Sequence, residues 1–416
     1  MFLKGKYIMK KLTKILAVML VVVMLSAFAA SAAGYTPAQK AQLKFDSDGN
    51  FRIMQIADIQ DGINLSPLSQ KSLRAAIEAE RPDLIILTGD NIIDIRSGTL
   101  GVFSDVDYTC VSGAIDDFMR IFEEYYYEYG VRVAATFGNH DGAFTAVNRE
   151  MQMEIYQKYD CFIGYDEAIA NIDIYGCGTY NIPIFSSDYT PVTEGELDYT
   201  QLAYNLWVID SNDYIDSLGN EYDAVHTDQI EYIEKETINL NKLSGKTIKS
   251  IAFQHIIVPE IYDALVEVPA GTEGAIANGD KYYVLPEGSA GHMLEKPCPP
   301  SLAVYNNEFA RLTAVGVEAF VVGHDHMNDY VVDYNGVKLI STITAGYSPY
   351  PYAEGTIRGV RVINLKEAGD SVTFDTYMHY YEDSKPAEPE EEKEMNFFER
   401  IIAWFKYIFM LLVGQM

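Results

Sequence analysis

Residues 84–91 read Leu84-Ile85-Ile86-Leu87-Thr88-Gly89-Asp90-Asn91. Four consecutive apolar residues mark a strand buried on both faces, as in a sheet covered by helices. The glycine that follows permits a tight approach, and Asp90 is delivered where strand gives way to loop. Four more segments share this construction. Phe51–Ala57, with Ile53 and Gln55 alternating against Met54 and Ile56, leads into Asp58-Ile59-Gln60. Val131–Phe137 leads into Gly138-Asn139-His140-Asp141, Ile248–Phe253 into His255, and Glu318–Val322 into Gly323-His324-Asp325-His326. Strand ends are where side chains from distant parts of a chain can converge.

Between these strands the period changes. Pro67–Glu80 has helical spacing through Leu68, Leu73, Ile77 and Glu80, and Arg81-Pro82-Asp83 stops it. Ile115–Tyr127 is a helix with Ile115, Phe118, Met119 and Phe122 on one face. A strand and helix alternation of this kind implies parallel strands in a covered sheet. Further on, the spacing predicts strands at Ile172–Tyr175, Thr179–Phe185 and Leu202–Ile209, and a helix over Thr227–Leu243 capped by Thr227. Tyr262–Pro300, rich in Gly and Pro, reads as a long surface excursion. A helix over Glu308–Val315 and strands at Tyr330–Tyr334, Val337–Thr342, Gly359–Asn364 and Val372–His379 close the domain.

The five segments fit a two-cation site for phosphate ester chemistry. Pushing a nucleophile onto an anionic phosphorus centre needs a generated hydroxide and neutralised phosphoryl oxygens, and two divalent ions supply both. Asp90 suits the carboxylate that bridges them. Asp58 and Gln60 are expected on the first ion, with His326 reaching back to it; Asn139, His255 and His324 are expected on the second. His324 and His326 are two apart, so in an extended segment both point to one face. His140, beside Asn139 but not needed as a ligand, suits a proton donor to the leaving oxygen. Asp141 is expected to hold the other His140 ring nitrogen. Four of the seven histidines fall in these segments; His226, His292 and His379 do not.

These residues resemble the calcineurin-like metallophosphoesterase family, in its purple-acid-phosphatase-like branch. The resemblance covers most of residues 51–365 and rests on Gly323-His324-Asp325-His326-Met327-Asn328-Asp329-Tyr330, on His255-Ile256-Ile257-Val258-Pro259-Glu260, and on Gly138-Asn139-His140-Asp141 with Arg149-Glu150 behind it. It implies a mixed α+β fold, a four-layer α/β/β/α sandwich with the dimetal site at the C-terminal ends of the strands. Two positions depart from the pattern. Gln60 stands where the family has His; its carbonyl oxygen, a harder and weaker ligand, shifts the first site toward Mn²⁺ or Mg²⁺ and lowers its affinity, and of Mn, Fe, Zn and Mg the two divalent ions are expected to be Mn²⁺. Ile93 stands where purple members carry Tyr, so ferric charge-transfer chemistry is not expected. The expected activity is hydrolysis of phosphate monoesters, from small esters or phosphoproteins. The alternatives are a phosphodiesterase on the same scaffold and a non-catalytic metal- or phosphate-binding module with a degenerate first site.

The rest of the chain sets the context. A net charge of −29 and a pI near 4.5 exclude a polymeric nucleic acid partner, which needs a basic footprint. Lys10, Lys11 and Lys14 precede the apolar run Ile15–Ala30, and Ala30-Ser31-Ala32 is a cleavage site for a signal peptide over residues 1–33. The protein is therefore expected to be exported, by a bacterial-type signal. A linker over 34–45 leads to a catalytic domain over 46–381. An acidic, Pro-containing linker over 382–395 then precedes an apolar helix over 396–416, interrupted by Glu399, Arg400 and Lys406. That helix suits in-plane association with a membrane surface rather than a span. Cys161 and Cys177 have a spacing open to either a local bridge or two buried thiols; Cys110 and Cys298 follow no metal pattern.

Overall fold

The computed structural model describes residues 42–61, 64–92, 104–141, 147–192, 197–219, 221–347 and 357–381. The signal peptide, most of the first linker, Ile93, the acidic linker and the C-terminal helix lie outside these residues.

Two sheets carry the fold. The first has the order β16-β15-β1-β2-β3, built from β1 (Asn50–Ile56), β2 (Leu84–Thr88), β3 (Arg132–Thr136), β15 (Gly359–Ala368) and β16 (Ser371–Tyr380). Here β1, β2 and β3 are parallel, while β15 and β16 run antiparallel on the far side. The second has the order β13-β14-β12-β8-β5-β4, from β4 (Tyr180–Phe185), β5 (Leu202–Val208), β8 (Ser250–Phe253), β12 (Val317–Val322), β13 (Val331–Tyr334) and β14 (Val337–Ser341). Its four inner strands are parallel and its two edges antiparallel.

Side-chain parity sets the layers. Phe51, Ile53, Leu84, Ile86 and Ala134 from the first sheet share one apolar cluster with Leu206, Val208, Ile251, Phe253, Ala319 and Val321 from the second. The alternate residues Met54, Ile56, Ile85, Leu87 and Val133 pack outward under helices α1 (Pro67–Glu80), α2 (Ser104–Tyr129) and α3 (Arg149–Tyr156). On the second sheet Trp207, Ala252, Phe320 and Val322 pack against α5 (Thr227–Ser244) and α7 (Glu308–Ala314). The order is therefore helix, sheet, sheet, helix. Each fully buried Ile or Phe in these layers contributes about 1.5–3 kcal/mol.

Local chemistry explains the ends. The Ser66 hydroxyl caps α1 by accepting from Ser69 N–H at 3.1 Å, Pro67 opens it, and Arg81 leaves it in a left-handed turn at φ 47. Helix α2 begins eleven residues before the expected Ile115. Thr109, Ser112 and Gly113 are poor helix formers, but Val111 and Ala114 are buried in the first outer layer and packing overrides propensity. The cap of α5 is His226, not Thr227, with Gln229 Oε1 accepting from the His226 N–H at 2.8 Å. The strand expected at Ile172–Tyr175 is absent: those residues follow the short α4 (Glu167–Ala170) as irregular backbone with bends at Ile172 and Tyr175, and Tyr175 N–H turns to Asp228.

Two boundaries also move. Leu43 and Phe45, placed in the linker, are core residues, tied to Phe185 on β4 by Phe45 N–H to Phe185 O at 3.0 Å. The excursion Tyr262–Pro300 is not irregular throughout. It opens within one turn of helix, α6 (Ile261–Ala264), and holds a small antiparallel sheet of β9 (Val266–Val268), β10 (Ile276–Asn278) and β11 (Lys281–Val284). Its last part folds back on the histidine loop, where Met327 N–H bonds Glu295 at 2.6 Å and Cys298 N–H bonds Asp325 at 3.2 Å.

Candidate metal centre

Parallel β1, β2 and β3 send Asp58, Asp90 and Asn139 out of one end of the first sheet, and parallel β8 and β12 send His255, His324 and His326 out of the second. The departing loops hold one another: Asp58 N–H bonds Gly89 O, Gln60 N–H bonds Asp90 O, and Gly323 N–H bonds His255 O. Below them, Gln55 lies between the sheets, donating to Thr88 Oγ1 at 2.9 Å and Val322 O at 3.1 Å. Asp58, Asp90 and His324 all sit at positive φ, 54°, 48° and 70°. Non-glycine residues take that conformation at a cost, and such residues gather at functional sites. Gly138 is required by crowding: a Cβ there would lie 2.6 Å from Asp90 N and 2.7 Å from His255 Cδ2.

Two groups of ligating atoms result, each within 4.8 Å: Asp90, His255 and His324, and Asp58, Asp90 and His326. Asp90 belongs to both. Its Oδ2 is 3.2 Å from His255 Nε2, while Asp58 Oδ1 is 3.2 Å from His326 Nε2 and 3.9 Å from His255 Nε2. His255 donates from Nδ1 to Thr88 O at 3.0 Å, which turns the Nε2 lone pair inward. Asn139 donates from Nδ2 to Tyr214 Oη at 2.6 Å. Asp58 Oδ1 and Asn139 Oδ1 are buried acceptors with no hydrogen-bond partner. Acceptors left bare in this way fit a cation, since burial without a partner is otherwise costly.

Negative charge outweighs burial at two of the three site histidines, His255 and His326. Burial disfavours a charged His255, yet the Asp90 and Asp58 carboxylates outweigh it and hold its pKa up at about 9. Burial would raise Asp90, but His255 and His140 keep it well below the usual carboxylate range. Burial and the His255 charge push His324 well down, whereas for His326 the pull of Asp58 overcomes burial and raises it. Divalent ions answer this imbalance.

Three expectations change here. Gln60 meets the site through its amide nitrogen, donating to Asp90 Oδ2 at 2.8 Å, rather than through its carbonyl oxygen. Asp141 does not hold the His140 ring. Its carboxylate accepts backbone N–H groups from Gly138 at 2.8 Å and Asn91 at 3.1 Å, and burial with the Asp90 charge pushes it up to about 7. It therefore shapes the loop. His324 and His326 are not on one extended face; the left-handed turn at His324 sends them to different groups. His140 lies half-buried at the mouth, its N–H on Asp90 Oδ1 at 2.8 Å and its ring edge-on to Tyr214.

Other residues support the site without a motif to announce them. Half-buried Arg149, at the start of α3, donates to both Asp210 oxygens at 3.0 and 3.1 Å and to Gly138 O at 2.8 Å. Burial opposes its charge and Asp210 and Asp213 sustain it. A two-stranded hairpin of β6 (Tyr214–Ile215) and β7 (Glu221–Tyr222) lies against Asn139 and His324, on the side of the Asp90, His255 and His324 group. Its sequence signal was Gly219-Asn220 between two aromatic positions. The outlying histidines have other work: His226 pairs with Asp223 at 2.9 Å, His292 with Asp329 at 3.1 Å and His379 with Glu80 at 2.7 Å.

A family profile described as calcineurin-like phosphoesterase matches residues 51–328, more than half of the chain. The chain belongs to the calcineurin-like phosphoesterase family. Members use a dimetal centre, and the shared Asp90 lies in the matched region. Among its relatives is an Arabidopsis thaliana protein named probable inactive purple acid phosphatase 14, 25% identical over 357 residues, covering 79% of this chain and 78% of that protein. Phosphatase DCR2 of Saccharomyces cerevisiae is 25% identical over 309 residues, 70% of this chain and 46% of that one. Among solved structures, a dimetal phosphatase from Danio rerio is 12% identical with a TM-score of 0.43, covering 79% of this chain and 99% of its own.

Proposed function

We propose that this calcineurin-like protein is an exported, metal-dependent phosphoesterase that hydrolyses phosphate monoesters. The observation that carries the reading is the pair of ligand groups sharing Asp90, with bare acceptors at Asp58 and Asn139. Asn139, His255, His324 and Asp90 would hold one divalent cation, and Asp58, His326 and Asp90 the other, with Mn²⁺ favoured. Bound there, the ions supply Lewis acidity toward the phosphoryl oxygens and acidified water. The chain supplies the rest. Asp90 keeps the two ion positions in register, and its Oδ1 bond to the His140 N–H fixes the turn that presents the His140 ring at the mouth. From there His140 gives its proton to the oxygen of the leaving alcohol. The N-terminal signal supports export, and the apolar stretch after residue 395 supports peripheral attachment to a membrane.

A second reading is a non-catalytic metal- or phosphate-binding module. It is favoured by the Gln60 hydrogen bond to Asp90 and by relatives named probable inactive. Hydrolysis of p-nitrophenyl phosphate against bis-p-nitrophenyl phosphate with added Mn²⁺ separates the readings. Turnover of the first supports the monoesterase, and turnover of the second alone makes the protein a diesterase. Metal binding with hydrolysis of neither, under any divalent ion, establishes the module.

A further inference from the structure

The β6–β7 hairpin lies outside every motif, yet it touches three residues of the site. Tyr214 Oη accepts from Asn139 Nδ2 at 2.6 Å, and the Tyr214 ring stands edge-on to His140 at 6.3 Å. Directly across the hairpin, Tyr222 meets the His324 ring edge-on at 4.5 Å; the two tyrosine rings are 5.3 Å apart. The hairpin is tied to the Asn139 loop through Arg149, which reaches Asp213 at 3.5 Å and Gly138 O at 2.8 Å. Its other strand is tied to the excursion by Ser301 N–H on Tyr222 O at 3.0 Å.

An asparagine amide is ambiguous toward a cation: one end is a ligand and the other end a pair of donors. Only a partner that accepts from the nitrogen decides between them. Asn139 is 1% exposed and its Oδ1 has no hydrogen-bond partner, so the decision falls to the group that takes its Nδ2. We propose that Tyr214 is a positioning residue of the second cation site, its hydroxyl holding the Asn139 amide with Oδ1 turned to the ion. The inference rests on the dimetal reading above. Partners of metal ligands in this position are worth about 10- to 100-fold in metal affinity.

The test is Mn²⁺ titration by calorimetry of the full chain, stripped of metal, for wild type, Tyr214→Phe, Tyr214→Ala and Tyr222→Phe. Tyr214→Phe keeps the ring against His140 and removes the hydroxyl that accepts from Asn139. It is expected to weaken one Mn²⁺ site by about 10- to 100-fold and leave the other unchanged. Tyr222→Phe, which keeps its ring, is expected to bind both ions as wild type does. Thermal melts of the metal-free proteins separate a folding defect from a ligand defect, with Tyr214→Phe expected to melt with wild type. Two wild-type affinities in Tyr214→Phe, or equal weakening of both sites with a lowered melting temperature, overturn the positioning role while leaving the dimetal reading in place. A wild-type chain that takes up no second ion overturns both.

Discussion

Gln60→His tests how the first ion is held. The Gln60 side chain is 4% exposed, its φ is 37°, and its Nε2 is 2.8 Å from Asp90 Oδ2. Histidine is among the residues that tolerate left-handed backbone, so the exchange adds little strain. From Cβ, the far imidazole nitrogen is as many bonds away as the Gln60 amide nitrogen, so reach is preserved. The exchange frees an oxygen of the shared carboxylate from a hydrogen bond and brings a nitrogen lone pair to Asp58 and His326. A hydrogen bond to a charged group is worth about 1.5–3 kcal/mol, which corresponds to roughly 10- to 100-fold in the dissociation constant of the first ion. The assay is Mn²⁺ titration by calorimetry, with the half-saturation of p-nitrophenyl phosphate hydrolysis measured alongside. Gln60→His is expected to tighten the weaker site and leave the tighter one unchanged. An unchanged weaker site would show that Gln60 does not face the ion and would refute the reasoning.

Other outcomes follow from the same geometry. Asp90→Asn removes the charge common to both groups, so both Mn²⁺ affinities should fall, each by more than the ~10–100-fold of an outer partner, as elemental analysis and calorimetry would show. His140→Ala should lower kcat by about 10²- to 10⁴-fold while keeping two bound ions; a loss of metal would make His140 a ligand. Burial pushes the Cys161 and Cys177 thiols up to about 12, so neither should react with a thiol reagent at pH 8 until the protein unfolds. Removing the residues after Glu394 should leave hydrolysis intact and abolish co-sedimentation with vesicles; equal sedimentation of both forms would dismiss the anchor.

The inner strands and α1 were legible because their signals are local. Leu84–Leu87 is apolar and Leu84–Thr88 is buried throughout, and Pro67–Glu80 is flanked by its cap, Ser66, and its stop, Arg81. The positions of Asp58, Asp90, Asn139, His255, His324 and His326 were legible because each follows such a strand. What escaped depends on contacts between distant segments. Nothing near Asp141 tells that backbone amides from two loops would take its carboxylate. Nothing near Tyr214 tells that its hydroxyl would meet Asn139, 75 residues away. Ile172–Tyr175 has strand composition but follows α4 as irregular backbone, so its propensity goes unused. The Cys161 and Cys177 alternatives fall to buried free thiols, with Cys177 against Tyr165.

The claim on which the rest depends is that two cations share Asp90. Crystals grown with Mn²⁺ and measured at its absorption edge test it without reference to any substrate. Two anomalous peaks are predicted, one among Asp90, Asn139, His255 and His324, the other among Asp58, Asp90 and His326. A single peak, or peaks not joined by Asp90, would contradict it.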